Sequence, residues 1–238
     1  MIHSEILDGA ICHISMRRPE KRNALGVDHY NALAEALDNT GDFAAIILSS
    51  LGDVFCAGND LSEFATAWPQ PENGPVVRFL TALRDVPVPV IAAVQGPAVG
   101  IGATMLLHCD VVLAAPQASL RYPFISLGLA PEGGSSLQLP ERLGRQRAMD
   151  LLLTNRVVAS TEALALGLVS AVVAPDELMP RAFELARGIA GQSRAAVLAT
   201  KALVTGSCRD AEVAWFEREI TVINGLIEQA RRTSQATG

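Results

Sequence analysis

Charge, aromatic rings and cysteine are all scarce in this chain. Of its 238 residues only 18% are charged and 5% aromatic, whereas half are hydrophobic, and the net charge is −6. The scarcity of basic residues argues against nucleic-acid binding, because the Lys/Arg runs stop at the pairs Arg17-Arg18, Lys21-Arg22 and Arg231-Arg232. Four cysteines (Cys12, Cys56, Cys109, Cys208) form neither a CxxC pair nor a zinc-type spacing, which predicts reduced thiols in a cytosolic protein. Four histidines (His3, His13, His29, His108) make no HExxH-like cluster, so no metal site is expected. No apolar run approaches the ~20 residues of a membrane helix. The N-terminus lacks the basic-then-apolar order of a signal peptide. The expectation is a soluble cytoplasmic protein without nucleic-acid or membrane partners. The length fits one large domain, or one domain with an appendage. The low charge also hints at apolar surface hidden between subunits.

What the chain does have is glycine in three telling places: FCAGND (Phe55 to Asp60), GPAVGIGAT (Gly96 to Thr104) and PEGG (Pro131 to Gly134). The first two each close a short apolar run. Two glycine-loosened turns can aim two backbone N–H groups at one point and stabilise negative charge on a carbonyl oxygen. The third brings an isolated carboxylate, Glu132.

The rest of the chain supplies a frame for these segments. Asp8-Gly9 between β-prone runs predicts a hairpin of Glu5–Leu7 with Ile11–Ile14. His13 falls in that strand and reads as structural. Helical spacing marks Val27 to Leu37 and Val76 to Arg84, while 44–49, 90–94 and 110–114 read as buried strands. A helix of about Ile101 to His108 follows the second glycine loop. Strands alternating with helices predict βαβ units with a parallel component, and sites at the carboxyl ends of the strands. Beyond Glu132 the pattern turns helical: Leu137–Leu153, Thr161–Leu166 with a hydroxyl cap at Ser160-Thr161, Glu177–Ala190, Ala195–Val204 and Ala211–Ala230. Val169–Val173 is a short extended interruption, and Arg231–Gly238 is expected to fray. The division is thus an α/β core, residues 1–191, and a helical portion, residues 192–238.

The segments HISMRRPEKRNAL, DVFCAGNDLSEF, VIAAVQGPAVGIGATMLLHCDVVLAA, PFISLGLAPEGGSSLQLPERLG and TEALALGLVSAVVAP occur in this order. Together, over about residues 1 to 205, they resemble the enoyl-CoA hydratase/isomerase (crotonase) family. The resemblance implies a crotonase-like α/β spiral of ββα units and C-terminal helices that pack in a homotrimer or dimer of trimers. It further implies acyl-CoA thioester substrates, with coenzyme A arriving as part of the substrate and no separate cofactor. Carried over by position, the oxyanion donors are the backbone N–H groups of Asn59 and Ile101. Ala57, Gly58, Asp60, Leu61 and Gly100 fall in the substrate-binding segments. Arg18, Lys21 and Arg22 resemble the segment that touches the CoA nucleotide, and Lys201 sits in a helix that approaches CoA in relatives.

The resemblance also bears on the reaction. Hydratases of the family carry glutamates where this chain has Thr104 and Phe124. Hydration needs two proton positions, so ordinary hydratase activity is disfavoured. Glu132, in APEGGSS, instead matches the single catalytic base of the Δ3,Δ2-enoyl-CoA isomerases. One carboxylate can take a proton from C2 and return it to C4. A free Glu titrates near ~4.3 and is a weak base for this carbon acid. Two oxyanion donors, at ~2.7–4 kcal/mol each, must therefore stabilise the dienolate.

Blander readings stand beside these. A Pro-Glu in a loop is usually just solvated, GxG alone makes turns, and basic pairs are often plain surface charge. Asp60 reads as a cap for the helix after it. Trp215 and Phe216 read as core or subunit contact. The competing functions are another reaction of the family (a hydratase with displaced carboxylates, a decarboxylase, a hydrolase) and a non-catalytic acyl-CoA-binding trimer. The segment from about Glu63 to Gly74 and the C-terminal helices are expected to set acyl chain length.

Overall fold

The computed structural model describes residues 1–206 and 209–236. Its elements begin with β1 (Ile2–Leu7) and β2 (Ile11–Met16), an antiparallel hairpin turning through Asp8 and Gly9, both at positive φ. Then come α1 (Val27–Asp38), β3 (Ala45–Ser50), α2 (Leu61–Ala67), α3 (Pro75–Asp85), β4 (Val90–Val94) and β5 (Pro97–Val99). The short α4 (Ile101–Thr104) tightens into a 3-10 turn at Met105–His108. β6 (Val111–Ala114), β7 (Ser119–Arg121), α5 (Ser135–Leu143), α6 (Arg145–Thr154), β8 (Val158–Ala159), α7 (Ser160–Ala165) and β9 (Ala171–Val172) follow. The chain closes with α8 (Leu178–Ala190), α9 (Arg194–Gly206) and α10 (Arg209–Ala236).

Among the described residues the strands form two sheets. The larger has the order β1-β2-β3-β4-β6-β9, parallel from β2 onward. Its interior strands β2, β3 and β4 are buried on both faces, as parallel strands generally are, while the antiparallel edge strand β1 is partly exposed. Ile46 and Leu48 face the main core with α1, α3 and Phe216 and Ile223 of α10, while Ile47, Ile91 and Leu113 pack under α8 at Leu178, Ala182 and Ala186. His13 is buried in β2, holding Ser49 Oγ at 2.8 Å and Glu5 at 3.0 Å, a structural role.

The smaller sheet, β5-β7-β8, was not anticipated. Strands of two or three residues are too short to show a period. Three further expectations change. The helix expected over Leu137–Leu153 divides at Gly144, whose φ of 78° continues neither half. Ser160 does not cap its helix; its hydroxyl donates to the Pro116 carbonyl at 2.8 Å. Arg231 onward does not fray at once, since α10 runs through Ala236. Cys12, Cys56 and Cys109 are free thiols. Cys208 and Gly238 lie outside the described residues.

Candidate active site

β3 and β4 are parallel neighbours, so the loops leaving their carboxyl ends share one edge of the sheet. The two glycine segments emerge there and pair with each other. The N–H groups of Phe55 and Cys56 donate to the Pro97 carbonyl at 3.0 and 3.2 Å, and the Val99 N–H donates to the Cys56 carbonyl at 2.9 Å. The approach is close enough that a Cβ on Gly102 would sit 2.5 Å from the Cys56 carbonyl oxygen. Gly58, at φ 98°, faces the Val99 carbonyl in the same seam.

This pairing leaves two donors uncommitted. Gly58 accepts from Leu25 N–H and Asp60 donates to the Leu25 carbonyl. The Asn59 N–H between them has no partner among the described residues. In the second loop Gly100 donates to the Arg121 carbonyl, and Ala103 and Thr104 donate back to Gly100. The Ile101 N–H likewise has no partner among the described residues. The Asn59 side chain is fixed from elsewhere: Tyr30, buried in α1, donates its hydroxyl to Asn59 Oδ1 at 2.6 Å.

Glu132 enters from the turn between β7 and α5. It is 3% exposed. Its Oε1 accepts a 2.6 Å hydrogen bond from Thr104 Oγ1, while Oε2 is buried without a partner. Burial pushes the carboxyl up to about 8; the Thr104 hydrogen bond pulls against that shift and the charge of Glu219 adds to it. The backbone of the turn is held by Ser135 Oγ on the Glu132 carbonyl at 2.5 Å. His108 is kept neutral by burial, its pKa pushed down to about 4. Its Nε2–H therefore donates to the Gly133 carbonyl at 2.7 Å.

Asn59 and Glu132 meet at one cavity of about 310 Å³, whose lining stops at Gly100 in the second glycine loop and includes neither Ile101 nor Asp60. Ala57, Gly58, Asn59, Leu61, Gly100 and Glu132 line it, as the sequence nominated, and Phe64, Trp68, Phe124, Leu127, Leu129 and Ile223 supply apolar wall. Among the described residues Glu132 is the one ionisable side chain in that lining. Phe64 and Trp68, stacked with ring centroids 5.5 Å apart, come from the segment expected to set chain length. Ile223 comes from α10.

The basic residues nominated for CoA divide. Lys21 and Arg22 are exposed beside the cavity segment, where the Arg22 carbonyl accepts from the Ala57 N–H at 3.0 Å. Arg18 instead turns inward, its Nη1 2.8 Å from Asp60 Oδ2 and 3.1 Å from the Ala24 carbonyl. Asp60 also caps α2, accepting from Ser62 N–H and Oγ. Lys201 is engaged with Asp110 at 2.6 Å and the Val88 carbonyl at 2.9 Å, lining a different groove.

Sequence reasoning missed Tyr30, His108 and Glu219. One signal was available for Glu219: it interrupts the Phe216, Ile220, Ile223, Ile227 stripe of a helix. A carboxylate on an apolar face is buried with a purpose or not at all.

Comparisons with known proteins identify the family and the fold. The family model described as enoyl-CoA hydratase/isomerase matches residues 7–237. A probable enoyl-CoA hydratase of Mycobacterium leprae is 35% identical over 222 residues, covering 92% of this chain and 82% of that one. Enoyl-CoA delta isomerase 2 of Rattus norvegicus is 36% identical over 173 residues, covering 69% of this chain and 44% of that longer protein. A solved enoyl-CoA hydratase/isomerase from Pseudoalteromonas atlantica superposes with a TM-score of 0.90 at 36% identity, over 95% of this chain and 91% of the other. The fold is the crotonase fold, and this chain belongs to the enoyl-CoA hydratase/isomerase family, whose members act on acyl-CoA thioesters.

Proposed function

We propose that the protein is a Δ3,Δ2-enoyl-CoA isomerase with Glu132 as its proton carrier. One observation carries this reading: among the described residues the cavity lining holds a single ionisable group, with one oxygen bonded to Thr104 and the other without a partner. Hydration requires a group to activate water and a group to protonate carbon. Double-bond migration requires only one.

The free Glu132 Oε2 takes a proton from C2 of a 3-enoyl thioester. The C2–H electrons form C1=C2 and the C1=O pair moves onto the thioester oxygen, giving a dienolate that keeps C3=C4. The Asn59 and Ile101 N–H groups receive that charge, at ~2.7–4 kcal/mol per donor. Glu132 then returns the proton to C4, which takes it with the C3=C4 pair as the C1=C2 pair becomes C2=C3 and the oxygen's pair re-forms C1=O. A carboxyl raised to about 8 is a far better base than an ordinary glutamate and still gives the proton back readily. Phe124 and Thr104 keep the site apolar or neutral where hydratases carry charge. No resident cofactor enters the scheme.

We also infer a homotrimer or dimer of trimers. The exposed Leu203 and Val204 of α9, at 81% and 73%, support it as surface in need of cover. Light scattering reads the mass directly.

The test follows the ultraviolet absorbance of the conjugated thioester after addition of a 3-enoyl-CoA. A rise that Glu132→Gln abolishes is the expected result. No rise, together with falling absorbance from a 2-enoyl-CoA, would mean hydration and overturn the proposal. CoA-thioester binding without turnover, indifferent to Glu132→Gln, would mean a binding protein.

A further inference from the structure

Glu219 of α10 is 5% exposed. Burying a carboxylate is costly unless its oxygens are satisfied. Both of its oxygens are committed to one short segment. Oε2 accepts from the Gly134 N–H at 2.7 Å, and Oε1 accepts from the Ser136 N–H at 2.9 Å and the Ser136 hydroxyl at 2.5 Å. Trp215 Nε1, one turn earlier on the same helix, donates to Ser136 Oγ at 2.9 Å. Phe216 closes over Gly134, where a Cβ would fall 2.6 Å from the ring.

The clamped segment is the one that begins at Glu132. Gly133 and Gly134 both have positive φ, 67° and 71°. Glycines in that region allow a wide range of loop conformations, so something outside the loop must select one. His108 holds the Gly133 carbonyl and Glu219 holds the next N–H. One turn beyond Glu219, Ile223 forms cavity wall. A single helix therefore fixes both the turn that carries the carboxylate and part of the wall that the acyl chain meets.

We propose that Glu219 is a positioning residue that holds the Glu132 carboxylate at the acyl cavity, coupling the C-terminal helix to proton transfer. This rests on reading Glu132 as the proton carrier. Burial raises the Glu219 carboxyl to about 7 against the pull of its Ser136 and Gly134 hydrogen bonds, so it is charged in the range where Glu132 titrates and acts on it there. The titratable and charged groups around the contact are Glu132 and the neutral His108 on the inner side. Arg84 lies 5.1 Å from the Phe216 ring centre, and Arg142 is engaged by Gln138 and the Leu107 carbonyl.

The test pairs Glu219→Gln and Ser136→Ala with two readouts. The first is steady-state kinetics on a 3-enoyl-CoA. The second is a pH titration of the Glu132 carboxyl carbon in protein labelled with 13C at its glutamate carboxyls, its resonance identified by its loss in Glu132→Gln. Glu219→Gln is expected to lower kcat by about 10- to 100-fold, the effect of a small misplacement, with KM little changed. It should also move the Glu132 midpoint to lower pH, since the neighbouring negative charge is gone. Ser136→Ala should lower kcat less and in the same direction. Unchanged kcat and an unchanged midpoint in a folded Glu219→Gln protein overturn the proposal. If that variant does not fold, the same two readouts on Ser136→Ala decide. If Glu132→Gln retains turnover, the isomerase reading fails by itself, and the Glu132 midpoint in Glu219→Gln still decides the positioning role.

Discussion

Thr104 Oγ1 donates a 2.6 Å hydrogen bond to Oε1 of Glu132, and both residues are buried. By the sequence resemblance, Thr104 falls where a hydratase of the family is expected to carry a glutamate. Here the position supports the neighbouring carboxylate and adds no second one. The bond favours the charged form of Glu132 and opposes the larger effect of burial. Thr104→Val keeps the shape and removes the donor. The rising limb of kcat/KM against pH, expected near 8 for the native protein, should move to higher pH by about 1–2 units, from ~1.5–3 kcal/mol for a hydrogen bond to a charge. Activity at pH 7 should fall about 10-fold or more, while the high-pH plateau holds or rises because the base is stronger. A limb that stays in place would show that Glu132 does not govern it.

The same raised carboxyl has a stability consequence. A Glu that titrates near ~4.3 unfolded and about 8 folded binds its proton more tightly in the native state. Its contribution is fully favourable below about pH 4 and is lost as pH rises toward 8. Glu132→Gln cannot ionise and escapes that loss. The Tm of Glu132→Gln minus that of the native protein should therefore grow between about pH 5 and 8 and level off above. Calorimetry across this range checks it; a flat difference would mean that the carboxyl is not raised.

Gly102 carries the seam between the two loops. A Cβ there would meet the Cys56 carbonyl oxygen at 2.5 Å and Cys56 Cβ at 2.8 Å, and Cys56 is fully buried. Gly102→Ala should push the loops apart, costing about 1–3 kcal/mol of stability by overpacking. The same displacement separates the Asn59 and Ile101 N–H groups and should lower kcat about 100-fold. Urea unfolding and kinetics on one preparation test both. Lost stability with full activity would detach these donors from the reaction.

Arg18 and Lys21 lie close in sequence and should behave differently. Arg18 pairs with buried Asp60, whose carboxyl is held at about 2 by the Ser62 hydroxyl first and by Arg18 after it. Arg18→Met should cost about 1.5–3 kcal/mol at neutral pH, as for a lost hydrogen bond to a charge. The penalty is present above about pH 4 and disappears as pH falls toward 2, where Asp60 takes up its proton. Exposed Lys21 has no such contact among the described residues, and Lys21→Ala should raise KM for the CoA thioester with stability unchanged. If Arg18→Met alters only KM, the pair is not what fixes Arg18.

Much of the frame was legible because its signals are local. The Asp8-Gly9 turn needs positive φ, which the DG pair announces. β3, β4 and β6 sit inside continuous apolar runs because helices cover both sides of the sheet. The helix break at Gly144 was hidden, since apolar spacing continues across it while the glycine's φ does not. The β5-β7-β8 sheet was hidden because strands so short are made by their partners and not by their own sequence.

The sequence by itself determined the long strands and most helices of the core, the three glycine-bearing turns and the choice of Glu132 as the candidate carboxylate. These follow from residue type and near-neighbour spacing. The tertiary structure alone decided that Glu132 is buried with one oxygen free, that Thr104 bonds the other, that Arg18 serves Asp60, and that Glu219 reaches back from α10 to clamp the turn carrying Glu132. The reason is physical. A carboxylate's basicity depends on how much water the whole fold removes from it and which distant dipoles are brought within 3 Å, and no local pattern records either.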